Sequence, residues 1–204
     1  MPLQNRVTPN GQIVAQTWRG DFMGNRGGRI HDPETKTLLN RRWASRRWII
    51  CVTSFKARQR SVMGAGYTEL FFLDEVTALA SGHRPCFECR RQDAKDFAAA
   101  WQVAKGLEKP PTADEMDLDL HEERRSVHSP ISLANTASLP DGAMIQSAGD
   151  RFALRNGRFI KWTGEGYVGG EGPKNEVCVL TPPAILAALN SGYRPIWHDS
   201  ALKF

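Results

Sequence analysis

Hydrophobic positions along this chain recur with two periods, and the changes of period mark its elements. Residues 47–55 (Arg-Trp-Ile-Ile-Cys-Val-Thr-Ser-Phe) are β-branched and aromatic, which predicts a strand. Residues 67–73 predict a second strand, with Gly64-Ala65-Gly66 as the turn between them. Asp74 then offers an N-cap, 75–81 a short helix, Gly82 a left-handed stop, and Pro85 a block to continuation. The period near 3.6 is clearest in 90–105, where Ala94, Phe97, Ala98, Trp101 and Ala104 share a face and Gly106 ends the helix. After the Pro110-Pro111 loop, residues 114–125 are acidic with helical spacing, and 126–140 read as loop.

Alternation returns in 143–147, 151–155 and 159–162, turned at Gly149-Asp150 and at Asn156-Gly157, a strong hairpin signal. Residues 177–180 predict a further strand. Thr181-Pro182-Pro183 opens a final helix, with Thr as N-cap and Pro at the first turn, and Gly192 closes it. Residues 78–85 match 188–195 at six of eight positions, which reads as two convergent helix stops rather than a repeat. Residues 19–29 read as a Gly-rich loop. Its amides could face an anion, but it matches neither the P-loop nor the dinucleotide fingerprint.

Together these elements predict an α+β fold: a small antiparallel sheet with a metal knuckle and helices, followed by a β-meander and terminal helix. The expected organisation is a zinc-binding basic region over 1–108, a linker with a helix over 109–140, and the meander with its helix over 141–204.

With 204 residues, 41% hydrophobic and 24% charged, the chain has an ordinary globular composition. At this length roughly 70% of the unfolded surface can be buried without disulfides. No apolar stretch approaches the roughly 18 residues of a membrane helix. Met1-Pro2-Leu3-Gln4-Asn5 leads into no signal-peptide apolar region, so a cytoplasmic location without a membrane partner is expected. Four cysteines are too few for a disulfide scaffold and fit thiols or metal ligands better.

Charge changes the picture. The net +5 is concentrated at the N-terminus, where residues 1–60 carry 12 Lys/Arg against 3 Asp/Glu. Residues 41–60 hold seven cations (Arg41, Arg42, Arg46, Arg47, Lys56, Arg58 and Arg60) and no acid, with Trp43, Trp48 and Phe55 interleaved. Guanidinium forks suit phosphate oxygens and aromatic faces stack on bases, so these cations are the candidate contacts to nucleic acid, DNA in first place. The simpler alternative is a solvated basic face with Trp48 in the core.

The sharpest chemistry is Arg84-Pro85-Cys86-Phe87-Glu88-Cys89-Arg90. Two cysteines separated by two residues, at a turn entering a helix, form half of a tetrahedral Zn²⁺ site. A redox dithiol is the rival, though such a pair ordinarily follows a strand in a βαβ unit. Completion of the site falls to Cys51, on the first predicted strand, and to a histidine among His31, His83, His121, His128 and His198. His31 is the candidate expected to lie nearest that strand. Cys178 reads as a core residue.

Residues 47–90 resemble the metal-binding domain of Ada-type DNA repair proteins. The resemblance rests on Ala80-Ser81-Gly82-His83-Arg84-Pro85-Cys86-Phe87-Glu88-Cys89, and upstream on Cys51 followed by Lys56-Ala57-Arg58 where the family has Pro-Ala-Arg. It implies a zinc site on a small sheet used against DNA, with Cys51 at the position of the methyl-accepting thiolate. The chain departs from the pattern at Phe55, where the family carries a further cysteine ligand.

Two lesser constellations complete the reading. His121 and Arg124, three apart on the acidic helix, could serve as acid/base and phosphate clamp, against the simpler reading of a solvated helix. Glu69, Asp74 and Glu75 could bind Mg²⁺, although Asp74 is already explained as an N-cap. The overall expectation is a zinc-binding, nucleic-acid-binding protein with Cys51, Cys86, Cys89 and His31 as ligands. Its alternatives are an enzyme, with Cys51 as alkyl acceptor or with hydrolysis at an open zinc, and a module whose basic face meets an acidic protein.

Overall fold

The computed structural model describes residues 1–57, 61–126, 130–174 and 176–204. Among them the predicted α+β class holds, with two six-stranded sheets and four α-helices. The first sheet is built from β1 (Gln4–Val7), β2 (Ile13–Ala15), β3 (Phe22–Arg26), β4 (Trp48–Val52), β5 (Leu70–Phe72) and β6 (Arg84–Pro85), in the order β2-β1-β5-β3-β4-β6. Its pairs are antiparallel except β1 with β5 and β4 with β6, which run parallel.

The segment read as a Gly-rich loop is therefore corrected in its middle, because β3 is a central strand. Its glycine is there for space. A Cβ on Gly24 would collide with the Ile49 carbonyl and the Phe72 ring. Polar Asn25 and Arg26 are both buried on this strand, which hides it from a hydrophobic pattern.

Helix α1 (Glu75–Ala80) starts where predicted, with the Asp74 carboxylate accepting from the Thr77 N–H at 2.8 Å. Helix α2 (Arg91–Lys105) ends at Gly106 in the left-handed region, φ 62°. Helix α3 (Ala113–Glu123) opens with a capping box between Thr112 and Glu115. It is more than a solvated helix, since Asp117 is fully buried and holds the buried Arg84 guanidinium through two bonds of 2.9 and 2.6 Å.

The second sheet comprises β7 (Ile131–Ser132), β8 (Met144–Ser147), β9 (Asp150–Arg155), β10 (Arg158–Thr163), β11 (Gly166–Val168) and β12 (Glu176–Val179). The order is β11-β10-β9-β8-β12-β7, antiparallel throughout. Its predicted turn has Asn156 and Gly157 at φ 49° and 74°, as a two-residue hairpin requires. Residues 126–140, read as loop, contain β7 and a 3₁₀ turn at Leu133–Thr136.

Helix α4 (Pro183–Asn190) is capped differently from the expectation. The Thr181 hydroxyl is taken by the Met144 N–H at 2.9 Å, and Pro182 occupies the N-cap. The Ala184 N–H is satisfied instead by the Glu123 carboxylate, at 3.1 and 3.2 Å. Helices α1 and α4 close alike, with His83 N–H on the Ala78 carbonyl and Tyr193 N–H on that of Ala188, beside Gly82 and Gly192 at positive φ. No described helix is long and apolar enough to cross a membrane.

All six residues of α1 are buried. Ala78 and Leu79 join a core with Phe72, Phe97, Trp101 and Ile185, whereas Val76 and Ala80 join one with Met144, Ile160 and Trp162. Two acids at its start bind the C-terminal segment. Asp74 accepts from the Tyr167 hydroxyl (2.9 Å) and the His198 N–H (3.1 Å). Glu75 accepts from Arg90 at 2.8 and 2.9 Å, from the Tyr193 hydroxyl at 2.6 Å, and from the Ile196 N–H at 2.9 Å. Burial opposes the charge on Arg90, but the Glu75 carboxylate more than offsets it and raises the guanidinium pKa. Burial, reinforced by Glu75, raises that of Tyr193.

Glu75→Ala strands the buried Arg90 charge and should cost about 3–5 kcal/mol, while Tyr193→Phe should cost about 2 kcal/mol. Urea titrations followed by tryptophan fluorescence and by circular dichroism check both values. Losses under about 0.5 kcal/mol, the range of an inert surface change, would contradict the role given to this acid.

Candidate metal centre

Alternation along the strands separates the two faces of the first sheet. Phe22, Ile50, Leu70 and Phe72 point into the core beneath the helices. Met23, Asn25, Ile49, Cys51, Glu69 and Phe71 point the other way and line a cavity of about 260 Å³. Cys51 thus faces away from the core although it lies in mid-strand and is 8% exposed.

The other two sulfurs arrive from the turn between β6 and α2. Strand β6 pairs in parallel with β4, Ile50 facing Pro85, and the Cys86 N–H donates to the Ile50 carbonyl at 2.9 Å. The turn closes with the Arg90 N–H on the Cys86 carbonyl at 3.0 Å. Cys51, Cys86 and Cys89 consequently bring their Sγ atoms within 4.8 Å of one another, close enough to hold a metal ion. No disulfide forms among them, and all four cysteines are free.

The setting favours thiolate at Cys86. Hydrogen bonds from the Cys51 and Cys89 thiols drive the Cys86 pKa well below the ordinary thiol range, and the backbone N–H groups of Cys89 and Glu88 add to this against burial. The Glu88 N–H lies 3.4 Å from the Cys86 sulfur. Cys51, as donor to its two neighbours and as a buried thiol, is pushed up. Cys89 is also raised, because its bond from Cys51 is outweighed by its donation to Cys86 and by burial. The negative charge therefore sits on Cys86, and a bound soft cation would ionise the other two thiols to complete a donor set that suits it.

No known protein family, curated protein or solved structure matches the chain.

Cys51, Cys86 and Cys89 are brought together as expected. His31 is not among them. It is buried elsewhere, with Nε2 donating to the Gly64 carbonyl at 2.9 Å. In the neutral ring its Nδ1 then accepts from the Thr68 hydroxyl at 2.6 Å, and that hydroxyl in turn accepts from the Ile30 N–H. The ring pins the 64–68 turn to the end of β3, a structural use of both nitrogens. His83 is buried between the Trp48 and Phe72 rings, 4.9 and 4.7 Å away. Burial, together with Arg26 and Arg124, pushes its pKa well down. His121 packs on Trp43, and His198 bonds to Ser200. His128 lies outside the described residues. Among the described residues no histidine or acid joins the three sulfurs.

Phe55, where the resembling family has a cysteine, is part of the cavity wall, as are Glu69 and Glu88. The Glu69 carboxylate accepts from the Met63 N–H at 2.8 Å. Asp74 and Glu75 are occupied by the C-terminal segment, so they do not meet Glu69 in a common cation site. Cys178 is half-buried on β12, apart from the cluster.

The basic residues fare unevenly. Arg41, Arg42, Arg46 and Arg47 are exposed on the segment leading into β4. Arg41 donates to the Arg29 carbonyl, and Arg47 pairs with Asp114 at 3.1 Å. Lys56 lies over the Phe55 ring at 5.0 Å. Arg58 and Arg60 lie outside the described residues. What the sequence did not reveal is that Arg124 reaches Trp48, while its predicted partner His121 meets Trp43 edge-on.

Elemental analysis of native protein should find about one thiophilic divalent ion per chain, as a single tetrahedral site holds. Cys86→Ser and Cys51→Ser should each lose most of it, and Cys178→Ser should retain it. Retention of the ion in Cys86→Ser would refute the assignment.

Proposed function

We propose that the protein is a zinc-binding protein that engages nucleic acid, DNA in first place, and that its zinc keeps one coordination position open. The observation that carries this reading is the placement of all three sulfurs on the wall of one cavity, with Phe55 rather than a fourth donor beside them. Zinc suits tetrahedral thiolate sites, and three protein ligands with an exchangeable fourth are the pattern of reactive rather than structural centres. The partner half of the reading is supported by the exposed arginines at 41–47, by the half-exposed Trp43 among them, and by the continuity of that segment with β4, which carries Cys51.

A second reading, chemistry at the open position, is favoured by the glutamates on the same wall. When bound, the ion would hold Cys51 as a thiolate and polarise a group at the open position. Cys51 could then accept an alkyl group from a phosphotriester. Its sulfur would form the S–C bond as the C–O bond breaks, and the phosphodiester would leave as an anion. For phosphoester hydrolysis, the carboxylate of Glu69 or of Glu88 would take a proton from the attacking water as its oxygen bonds to phosphorus, and the ester oxygen would leave with that proton as an alcohol.

DNA affinity should fall steeply with salt as counterions are released. Arg46→Ala with Arg47→Ala should weaken binding and reduce the salt slope by about 2; an unchanged slope would reject that strip as the contact. Exposure to methylated DNA should add one methyl group at Cys51 by mass spectrometry, and an unmodified peptide would eliminate alkyl transfer.

A further inference from the structure

The opposite face of the first sheet carries a second concave site that the metal chemistry does not use. It is a groove of about 700 Å³ between the β1–β2 turn, the C-terminal end of α1 and Arg124, the residue that follows α3. Three arginines line it, Arg26, Arg42 and Arg124, and no acid does. Strand alternation accounts for the separation: Arg26 and Trp48 take the face opposite to Asn25 and Cys51.

The guanidinium carbons of Arg26 and Arg124 both lie over the Trp48 ring, 4.0 and 4.4 Å from its centroid. Arg26 is 2% exposed. Its bonds go to neutral acceptors, the Gly11 carbonyl at 2.8 Å and the His83 Nε2 at 3.4 Å. Arg124 donates to the Gly82 carbonyl at 2.9 Å and the Arg46 carbonyl at 3.1 Å. Gly82 must be glycine here, because φ is +82° and a Cβ would press on the Arg124 side chain at 3.0 Å.

Neither Arg26 nor Arg124 is paired with a carboxylate among the described residues. Two buried donors on the lining residues have no hydrogen-bond partner among them: the Arg124 Nη2 and the Nε1 of Trp48, a residue 6% exposed. Buried charge is ordinarily paired and buried donors are ordinarily satisfied, so the combination is that of a site built for an anion.

We infer that this groove is a binding site for a phosphate-bearing anion, held by Arg26, Arg42 and Arg124 beside the Trp48 ring. Three guanidiniums match the several oxygens of a phosphate group, and the volume leaves room for an ester attached to it. The electrostatics agree. Burial, followed by the charges of Arg124 and Arg42, lowers the Arg26 pKa to about 9, and burial lowers that of Arg124 to about 10. A bound anion would relieve this strain.

The test uses full-length, metal-loaded protein titrated with inorganic phosphate and, separately, with a nucleoside 5′-monophosphate, followed by calorimetry and by NMR of indole and guanidinium N–H groups. At least one should bind, moving the Trp48 Nε1–H signal, and the tighter of the two distinguishes free from esterified phosphate. Arg124→Met should weaken binding about tenfold or more, as loss of a charge-assisted bond does. Arg42→Ala, at an exposed residue, should weaken it about threefold and serves if Arg124→Met does not fold. No binding of either probe at about 10 mM, or binding indifferent to Arg42→Ala, would overturn the inference. The metal centre lies across the sheet and the nucleic-acid test rests on Arg46 and Arg47, so failure here leaves those readings standing.

Discussion

The hydrogen bond from the Cys86 N–H to the Ile50 carbonyl is the constraint on which the chemistry of this protein depends. It docks the knuckle turn beside β4 in parallel register, and that register brings two sulfurs to the strand residue that offers the third. A slip of one residue would turn Cys51 into the core and leave Ile50 facing the knuckle. The buried Arg84–Asp117 and Arg90–Glu75 pairs flank the turn and hold it from both ends. Such pairs contribute little net stability but tolerate few alternative arrangements, which suits the positioning of a ligand set.

The first sheet works on both faces because its strands are short and alternate faithfully. One face feeds a core that reaches through α1 and α2 to α4, so the terminal helix packs on the N-terminal half of the chain rather than on the meander alone. The other face is left to the cavity that holds the three sulfurs. At the margin of the core face, where Arg26 and Trp48 end β3 and begin β4, apolar packing gives way to the arginine groove. The proposed metal and anion sites are thus two outcomes of the same pleat.

Much of this was legible from residue pattern. Helix α2 follows its 3.6 period to within a residue, Asp74 caps α1, and Asn156-Gly157 turns its hairpin, because in each case a local preference agrees with the tertiary setting. Strands β1 and β3 were illegible because glycine and buried polar residues stand where apolar ones would announce a strand. Asp117 looked solvated because its partner Arg84 is remote in sequence. Cysteine spacing exposed half of the metal site, and reading Cys178 as a core residue left Cys51 as the third sulfur. His31 had no such support, and its ring serves Thr68 and Gly64 instead. The groove arginines come together only through folding, and no motif marks them.

X-ray absorption at the zinc edge of the native protein tests the central claim most directly. The account predicts a first shell of three sulfurs at about 2.3 Å and one lighter donor at about 2.0 Å. A shell of four sulfurs, or a zinc-free protein with Cys86 and Cys89 oxidised to each other, would contradict it.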